Sequence, residues 1–479
     1  MSRLNLSVLS EEEVLKLHKN TLEVLDKTGV KIPHPETLEK CKYAGARVDE
    51  DTSTVRFPPE LVEELRNLAP SVAKETGLNG KILNVGGENR YYTSLILDPW
   101  IADYSEGLRR PVLEDVRRNT IIGETLPNVD ALMRMAYPVS DIPGKDSYFK
   151  TMEVFLSNTT KHVAAYPASI EDARNWMDIT AVIADSSGLD VNSTALLSLA
   201  VAVTSPLQFF PLNIEILKMA VSRCYPVIPT VCPMAGTTSP YTVAGTALIA
   251  NVETLLVTIL TQLYKPGHPV FHAVGPSTTN MKTGEDLYYR AEKMLYKITG
   301  IQMGQFYNLP ISGEAGGTLT HRADIQNGAE SILYLLSSTA GGQNMIGGLG
   351  SLYNALGMSS EQIIMQSGLA AMAEYVSAGI DFSEEKLSGE AIHSVGPGGN
   401  FMMEDLTIEL LRDKKEFFNN PYYDVAESGK PDSIGMYEAA HLKAEELVEG
   451  YKSTVPERVR FAIKDFFKTK YNNPSNSDR

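Results

Sequence analysis

Residues 195–232 read ALLSLAVAVTSPLQFFPLNIEILKMAVSRCYPVIPTVC. Two short apolar runs, 195–203 and 226–232, enclose a segment, 211–223, whose apolar residues recur at helical spacing. Runs of this length suit buried strands. A strand–helix–strand unit indicates a parallel sheet, because parallel strands need a long crossover connection. This stretch therefore predicts an α/β fold.

The same alternation extends through most of the chain. Further strands are predicted at 130–136, 161–166, 269–274, 301–307, 342–347 and 389–395. Further helices are predicted at 148–158, 170–186, 241–264, 285–299, 323–339 and 360–378. Eight strand–helix units over roughly 270 residues match the size of a closed (β/α)8 TIM-type barrel. An open doubly wound sheet is the alternative.

Three regions are predicted: an N-terminal helical and irregular cap (1–127), the barrel (128–400) and a C-terminal helical extension (401–479). In the cap, Ser10 and Glu13 form a capping-box pattern at the start of a helix over 10–27. Residues 81–104 suggest short strands and turns. Because no linker-like stretch separates the regions, we expect cap and barrel to pack as one unit.

Composition excludes several classes of protein. The 479 residues are 43% hydrophobic and carry a net charge of −16, which disfavours binding to nucleic acid or anionic lipid. Three cysteines are too few for a disulfide scaffold and favour a reducing, cytoplasmic location. The N-terminus lacks a signal-peptide pattern. Polar residues within 241–264 favour a buried helix over a membrane span.

Motifs for common cofactors are missing from the sequence. It contains no P-loop and no strand-linked G-x-G-x-x-G, so nicotinamide and ordinary S-adenosylmethionine sites lack support. Cys224 and Cys232 have no close histidine in the sequence, and buried thiols are a better interpretation than a zinc site. We predict no metal site.

In a TIM-type barrel, chemistry occurs at the carboxyl ends of the strands. Aromatic and histidine side chains follow several of the predicted strands there: Tyr166, Phe209, Phe210, His272, Phe306, Tyr307 and His393. A glycine loop, Gly396–Gly399, follows His393. Glycines permit sharp turns and a close approach of ligand to backbone.

Four long segments resemble one known family, the non-pyrrolysine branch of the trimethylamine methyltransferase superfamily. They are 29–70, 233–274, 313–331 and 393–407, so the resemblance covers nearly the whole chain. Within 313–331, four residues match the D-x-Q-x-G-x-E pattern of the family: Asp324, Gln326, Gly328 and Glu330. Within that branch, the chain resembles the glycine betaine:corrinoid methyltransferases.

The resemblance implies a barrel enzyme that presents a methylated amine to the corrinoid (cobalamin) of a separate protein. His321 stands where the trimethylamine enzymes have pyrrolysine, three residues before Asp324. This difference disfavours trimethylamine and leaves quaternary amines, with glycine betaine as the leading candidate. Proline betaine, carnitine and γ-butyrobetaine remain open as alternatives.

A quaternary ammonium accepts no hydrogen bond and is held by aromatic faces, at roughly 0.5–2 kcal/mol per contact, with help from a carboxylate. Among the rings we favour Trp100, which follows Asp98-Pro99 in a predicted loop. The predicted substrate-binding residues are Trp100, Tyr104, Tyr166, Phe209, Phe210, His272, Tyr307 and His393. The betaine carboxylate is expected to meet His272, His321, Arg322, His393 or the amides of Gly396–Gly399.

Catalytic roles are predicted for His321 and Glu314, and corrinoid contact for Gly398 and Gly399. The corrinoid-binding motif D-x-H-x-x-G is incomplete around His393, because Ala391 replaces its Asp. We therefore expect the corrinoid on a partner protein, and we expect a homo-oligomer. The alternatives are a lyase or aldolase that uses Lys or His chemistry, and a non-catalytic protein that binds quaternary amines.

Overall fold

The computed structural model describes residues 4–413, 416–420 and 433–471. Before residue 90 the chain forms a cap of short elements. In chain order these are α1 (Glu11–Glu23), a π-helical turn (Val24–Thr28), β1 (Val30–Lys31), α2 (Pro35–Tyr43), β2 (Arg47–Asp49), β3 (Thr54–Arg56), α3 (Pro59–Arg66), β4 (Val72–Thr76) and β5 (Ile82–Gly86). Ser10 and Glu13 form the predicted capping box at the start of α1.

Strands and helices then alternate to residue 378. They are β6 (Tyr91–Leu95), β7 (Trp100–Asp103), β8 (Gly107–Arg109), α4 (Leu113–Thr125), β9 (Ala131–Arg134), α5 (Gly144–Leu156), β10 (His162–Ala165), α6 (Ile170–Ser187), β11 (Leu197–Ala202), α7 (Pro211–Ser222), β12 (Val227–Thr230), β13 (Met234–Ala235), α8 (Val243–Tyr264), β14 (His272–Ala273), β15 (Ser277–Thr279), β16 (Asp286–Leu287), α9 (Glu292–Phe306), β17 (Ile311–Glu314), α10 (Ile325–Gly341), β18 (Met345–Leu349), β19 (Ser351–Leu352), β20 (Gly357–Met358) and α11 (Ser360–Ala378).

Five further helices follow the barrel in the described part of the chain. They are α12 (Glu384–Leu387), α13 (Gly389–Val395), α14 (Asp405–Asp413), α15 (Met436–Glu449) and α16 (Glu457–Tyr471). Helix α16 buries Phe467 beside Phe149 of α5, and α15 places His441 2.9 Å from the Glu361 carboxylate of α11. Helices α12 to α14 bury none of their side chains.

Eight parallel strands close into the predicted (β/α)8 barrel. Their order is β12-β11-β10-β9-β6-β18-β17-β14, and every pair in it is parallel. A parallel bridge between Val227 and Val270 joins the two ends of this order. Each barrel strand is followed by one long helix, from α4 to α11. The closed barrel is therefore confirmed over the open sheet.

Two of the eight barrel strands differ from the sequence-based prediction. The first strand is β6, which lies in the segment assigned to the cap, so the barrel begins before residue 128. The predicted strand 301–307 belongs to α9 and its C-cap, and 389–395 is helix α13; the strand missed between them is β17. Gly300 and Gly304 explain the error on α9. They interrupt the helical pattern because a Cβ there would lie 2.3 Å from Val274 and 2.6 Å from Ile311.

Helix α8 has the length and composition of a membrane span, but most of it is buried among the other barrel elements. Its one acidic residue, Glu253, accepts hydrogen bonds from the Ser205 hydroxyl at 2.6 Å and the Leu207 amide at 2.8 Å. Burial raises the pKa of Glu253 to about 7. These two hydrogen bonds supply partners for the buried carboxyl group.

The cap packs directly on the barrel, and two of its contacts involve buried polar side chains. Asn251 of α8 donates to Thr21 of α1 at 2.8 Å and to the Tyr307 hydroxyl at 2.9 Å. At the amino-terminal end of the barrel, the β4–β5 hairpin inserts Glu75, whose carboxylate accepts from Ser198 at 2.6 Å and lies 3.4 Å from His162 Nε2. All three side chains of this second contact are buried, so the hairpin plugs the barrel floor.

Replacing Glu75 with Ala should destabilise the protein by about 1–3 kcal/mol, because Ser198 loses a buried hydrogen-bond acceptor and His162 a buried carboxylate neighbour. Urea unfolding followed by circular dichroism measures this loss of stability, with the exposed Glu64→Ala as the matched control.

Burial pushes the pKa of Glu75 upward, but the charge of His162 and hydrogen bonds from His162 and Ser198 outweigh burial and lower it. The stabilisation should therefore be complete above the ordinary value of 4.5 and decline in acid. A loss below about 0.5 kcal/mol, within the range of surface substitutions, would contradict the plug.

Candidate active site

A cavity of about 530 Å³ opens at the carboxyl ends of the barrel strands. Its walls include four carboxyl groups, Asp98, Glu285, Asp286 and Glu314, and four tyrosines, Tyr137, Tyr166, Tyr288 and Tyr353. Most of the remaining wall is apolar or uncharged, with Met133, Met135 and Cys232 among its side chains. The cavity therefore combines negative charge with aromatic surface, and it occupies the end of the barrel where such folds place their chemistry.

Glu314 ends strand β17 and is held by Tyr289. The Tyr289 hydroxyl lies 3.2 Å from Glu314 Oε2 and 2.7 Å from the Gly316 carbonyl oxygen, so it donates to one of them at a time. Gly317, at φ +135°, makes room for this ring, since a Cβ there would lie 2.2 Å from the Tyr289 hydroxyl. A glycine at this position thus allows Tyr289 to orient the carboxylate.

Asp98 lies three residues beyond β6 and is only 3% exposed. Its Oδ2 atom has no hydrogen-bond partner among the described residues. Burial, and next the negative charge of Glu314, raise the pKa of Asp98 well above its ordinary value of 3.8. An acidic side chain that is buried without a partner is costly to keep in a fold, and such residues cluster at functional sites.

The tyrosine rings face the same space as Asp98 and Glu314. Burial raises the pKa of Tyr137, and the charges of Asp98 and Glu314 raise it further. Burial and the charge of Glu314 likewise raise the pKa values of Tyr166 and Tyr288, so these phenols stay neutral. Neutral phenol rings offer electron-rich faces to a cation.

Tyr353 is presented by a strained turn after β19. Tyr353, Asn354 and Ala355 all have positive φ angles, between 52° and 61°, which non-glycine residues rarely adopt. The Asn354 side chain holds the turn, since its oxygen accepts from the Tyr288 amide at 2.7 Å and its amide group donates to the Asp286 carbonyl oxygen. This turn therefore fixes Tyr353 and Tyr288 relative to each other. Backbone strain of this kind is often retained at functional sites.

Two buried lysines of α9 stand behind the cavity wall. Lys293 Nζ lies 3.1 Å from the centre of the Tyr288 ring, and Lys297 Nζ fills the space that a side chain at Gly313 would need. Burial lowers the pKa of Lys293 to about 7 and that of Lys297 to about 8. Neither lysine lines the cavity, and within the described parts of the chain no Lys, Arg or His side chain does.

The loops around the cavity mouth contain two small sheets, β19-β20-β7-β8 and β13-β15-β16. The rim carries exposed apolar side chains, among them Tyr241, Met281 and Leu356, and Leu356 also lines the cavity. Tyr241 and Met281 are neighbours, since both would contact a Cβ at Gly236. The rim thus offers an open, partly apolar surface to a second macromolecule.

Of the residues predicted from the sequence, the structure brings Glu314 and Tyr166 together in the cavity. His321 lies just outside it. Its exposed ring meets the edge of Tyr353 at 5.3 Å between centres, so its catalytic role stays a prediction. Arg322, predicted as a carboxylate ligand, is largely exposed and pairs with Asp324 at 3.2 Å.

The other predicted aromatic residues do not line the cavity. The Arg110 guanidinium lies 3.9 Å from the centre of the Trp100 ring, and Tyr104 stacks on His441 at 3.8 Å. Phe209 is fully buried in the core, and Phe210 caps helix α7. None of these four rings therefore contributes to the cavity wall.

His272 and Tyr307 pack between the barrel and its helices. His272 faces Gly304 of α9 and Tyr307, and burial lowers its pKa to about 3; its neighbour Ala273 lines the cavity instead. His393, Gly398 and Gly399 are exposed in or just after α13 and do not line the cavity.

The sequence-based reasoning missed Asp98, Tyr137, Tyr288 and Tyr353 as site residues. Asp98 directly follows the apolar run SLIL (94–97), which is the signal of a carboxyl group at a strand end. That signal was overlooked because this run was assigned to the cap. The three tyrosines lie in loops, where no periodicity marks them.

The chain is similar to known proteins over nearly its full length. Residues 2–474 match the family model of trimethylamine methyltransferase (MTTB). The trimethylamine methyltransferase MttB of Desulfitobacterium hafniense (strain DSM 10664 / DCB-2) is 31% identical, over 86% of this chain and 83% of the relative. The glycine betaine methyltransferase of D. hafniense (strain Y51) is 24% identical, over 93% of each chain.

Among solved structures, the monomethylamine methyltransferase MtmB of Methanosarcina barkeri superposes with a TM-score of 0.55 at 14% identity. This match covers 93% of the present chain and 89% of MtmB, and it supports the barrel fold with its added helices. The family match rests on the sequence and extends across cap, barrel and C-terminal helices. The chain belongs to the trimethylamine methyltransferase (MTTB) family.

Proposed function

We propose that the protein transfers a methyl group from a quaternary ammonium compound to the Co(I) corrinoid of a separate protein. The observation that carries this proposal is the cavity itself, where Asp98 and Glu314 stand among four tyrosine rings without a basic side chain on the described wall. Such a site favours a cation. A methylated nitrogen also matches the substrates in the names of the relatives.

A permanently charged nitrogen suits this wall better than a neutral amine. Its charge is spread over methyl groups that contact ring faces, at roughly 0.5–2 kcal/mol per contact. Glu314 supplies the nearby negative charge, and Tyr289 keeps that carboxylate oriented. Asp98 adds a second carboxyl group whose ionisation becomes favourable when a cation is present.

The reaction breaks one N–CH3 bond, and its electron pair stays on nitrogen to give a neutral tertiary amine. A Co(I) corrinoid, when docked, supplies the electron pair that accepts the methyl group. The chain's own residues bind and orient the cation and exclude water from it. The apolar rim around Tyr241, Met281 and Leu356 supports docking of the corrinoid protein there.

Glycine betaine is the substrate candidate from the sequence, and it is the substrate named for a relative at 24% identity. Proline betaine, carnitine and γ-butyrobetaine share the same cation. A cytoplasmic homo-oligomer remains part of the proposal. The alternative function is a protein that binds quaternary amines without turnover. The same cavity supports both functions, and a turnover assay distinguishes them.

The first test mixes the protein with a Co(I) corrinoid and a quaternary amine and follows the loss of Co(I) absorbance. Glu314→Gln should slow the reaction about tenfold, or about 1.4 kcal/mol in the barrier, because the charge facing the cation is removed. The exposed Glu64→Gln serves as the control and should react like the wild type. Binding without Co(I) consumption for any quaternary amine would favour the binding protein instead.

A second test uses the pH dependence of cation binding. Protonated Asp98 must release its proton to pair with a cation, so affinity for tetramethylammonium should rise with pH through the raised pKa of this group, by at most about tenfold per pH unit. Glu314, Tyr137 and Tyr289 are the titratable groups facing it. Calorimetry between about pH 5 and pH 8 should show a flatter profile for Asp98→Asn. If the affinity of Asp98→Asn rose with pH as steeply as that of the wild type, the proton released on cation binding would come from another group.

A further inference from the structure

We propose that this cavity selects a methylated ammonium cation that carries no carboxylate, such as choline or tetramethylammonium, over a betaine. The inference rests on the proposed function and narrows its substrate class. It starts from the carboxyl groups that line the cavity, Asp98, Glu285, Asp286 and Glu314. Each of these groups, when ionised, attracts the ammonium group and repels an anion attached to it.

A betaine carboxylate finds no basic partner on the described wall. The carboxylate ligands expected from the sequence all lie elsewhere: His272 outside the barrel lumen, His321 and Arg322 exposed beyond Tyr353, and His393 on α13. Its carboxylate is joined to the nitrogen through a short carbon chain. When the nitrogen lies beside the acids that line the cavity, the carboxylate is therefore held inside the same acidic space.

Of the two lysines nearest the cavity, Lys293 contacts other groups, and Lys297 Nζ has no hydrogen-bond partner among the described residues. Lys293 Nζ lies 3.1 Å from the centre of the Tyr288 ring and 3.4 Å from the Pro276 carbonyl oxygen. Lys297 Nζ lies behind Gly313, at a point 2.5 Å from where a Cβ would stand. Tyr288 and Gly313 line the cavity, whereas the lysines do not. Both amines therefore lie behind the cavity wall and do not line the space that a ligand would occupy.

Neutral polar groups do reach the cavity. The Thr93 hydroxyl on β6 is buried and has no hydrogen-bond partner among the described residues, and its residue lines the cavity. A hydroxyl both donates and accepts, so it suits an alcohol such as that of choline. Hydroxyl groups and acids match a hydroxylated cation better than a zwitterion, since no Lys, Arg or His of the described residues lines this wall.

The test compares the affinities of choline, tetramethylammonium and glycine betaine by calorimetry on the full-length protein. We expect both cations to bind at least about tenfold more tightly than glycine betaine, which corresponds to about 1.4 kcal/mol. Asp98→Asn and Glu314→Gln should each narrow this preference, because each weakens cation binding and removes repulsion of the carboxylate. Asp178→Asn, the same chemical change on the exposed face of α6, should leave the preference unchanged.

Equal or tighter binding of glycine betaine would overturn this inference and leave the proposed function standing. The inference would also be overturned if Lys293→Met weakened the binding of glycine betaine but not that of the two cations. Lys293 would then be a basic partner of the betaine carboxylate. If none of the three ligands binds, the proposed function itself fails. Thermal unfolding of each variant confirms that it is folded, and the two acid variants provide independent tests.

Discussion

Closure of eight parallel strands is the constraint on which the rest of this structure depends. Parallel pairing requires a long crossover after each strand, and these crossovers are the eight helices α4 to α11. All strands then end at one rim, so loops distant in sequence meet there. Asp98 after the first strand and Glu314 at the end of the seventh thus share one cavity although 216 positions separate them.

The cavity concentrates interactions that work against folding. Asp98 is buried with an unpaired oxygen beside a second carboxylate, and Tyr353 lies in a run of three residues with positive φ. Groups of this kind reduce stability and persist where a ligand uses them. Glu253 on α8 differs from Asp98, because both of its carboxylate oxygens accept hydrogen bonds, from Ser205 and Leu207.

Some features of the site were accessible from the sequence, and others were not. Tyr166 could be predicted because it follows a strand-like run at the expected rim, and Glu314 because it lies in the family segment 313–331. Trp100 was a reasonable candidate for a cation cage, but its ring is covered by Arg110. His272 stands on a barrel strand, yet it faces the helices, because a shift of one residue along a strand reverses the side of the sheet.

The sequence by itself determined the fold class, the family and seven of the eight barrel helices, all but α4, because strand and helix periodicities are local and the family segments span the chain. It misplaced β6 and β17, whose short runs contain polar residues or glycine. Only the tertiary structure decided which side chains meet in the cavity and that the nearby lysines stay behind its wall. Those facts depend on strand register and on helix packing, which join residues far apart in the chain and leave no mark in any one segment.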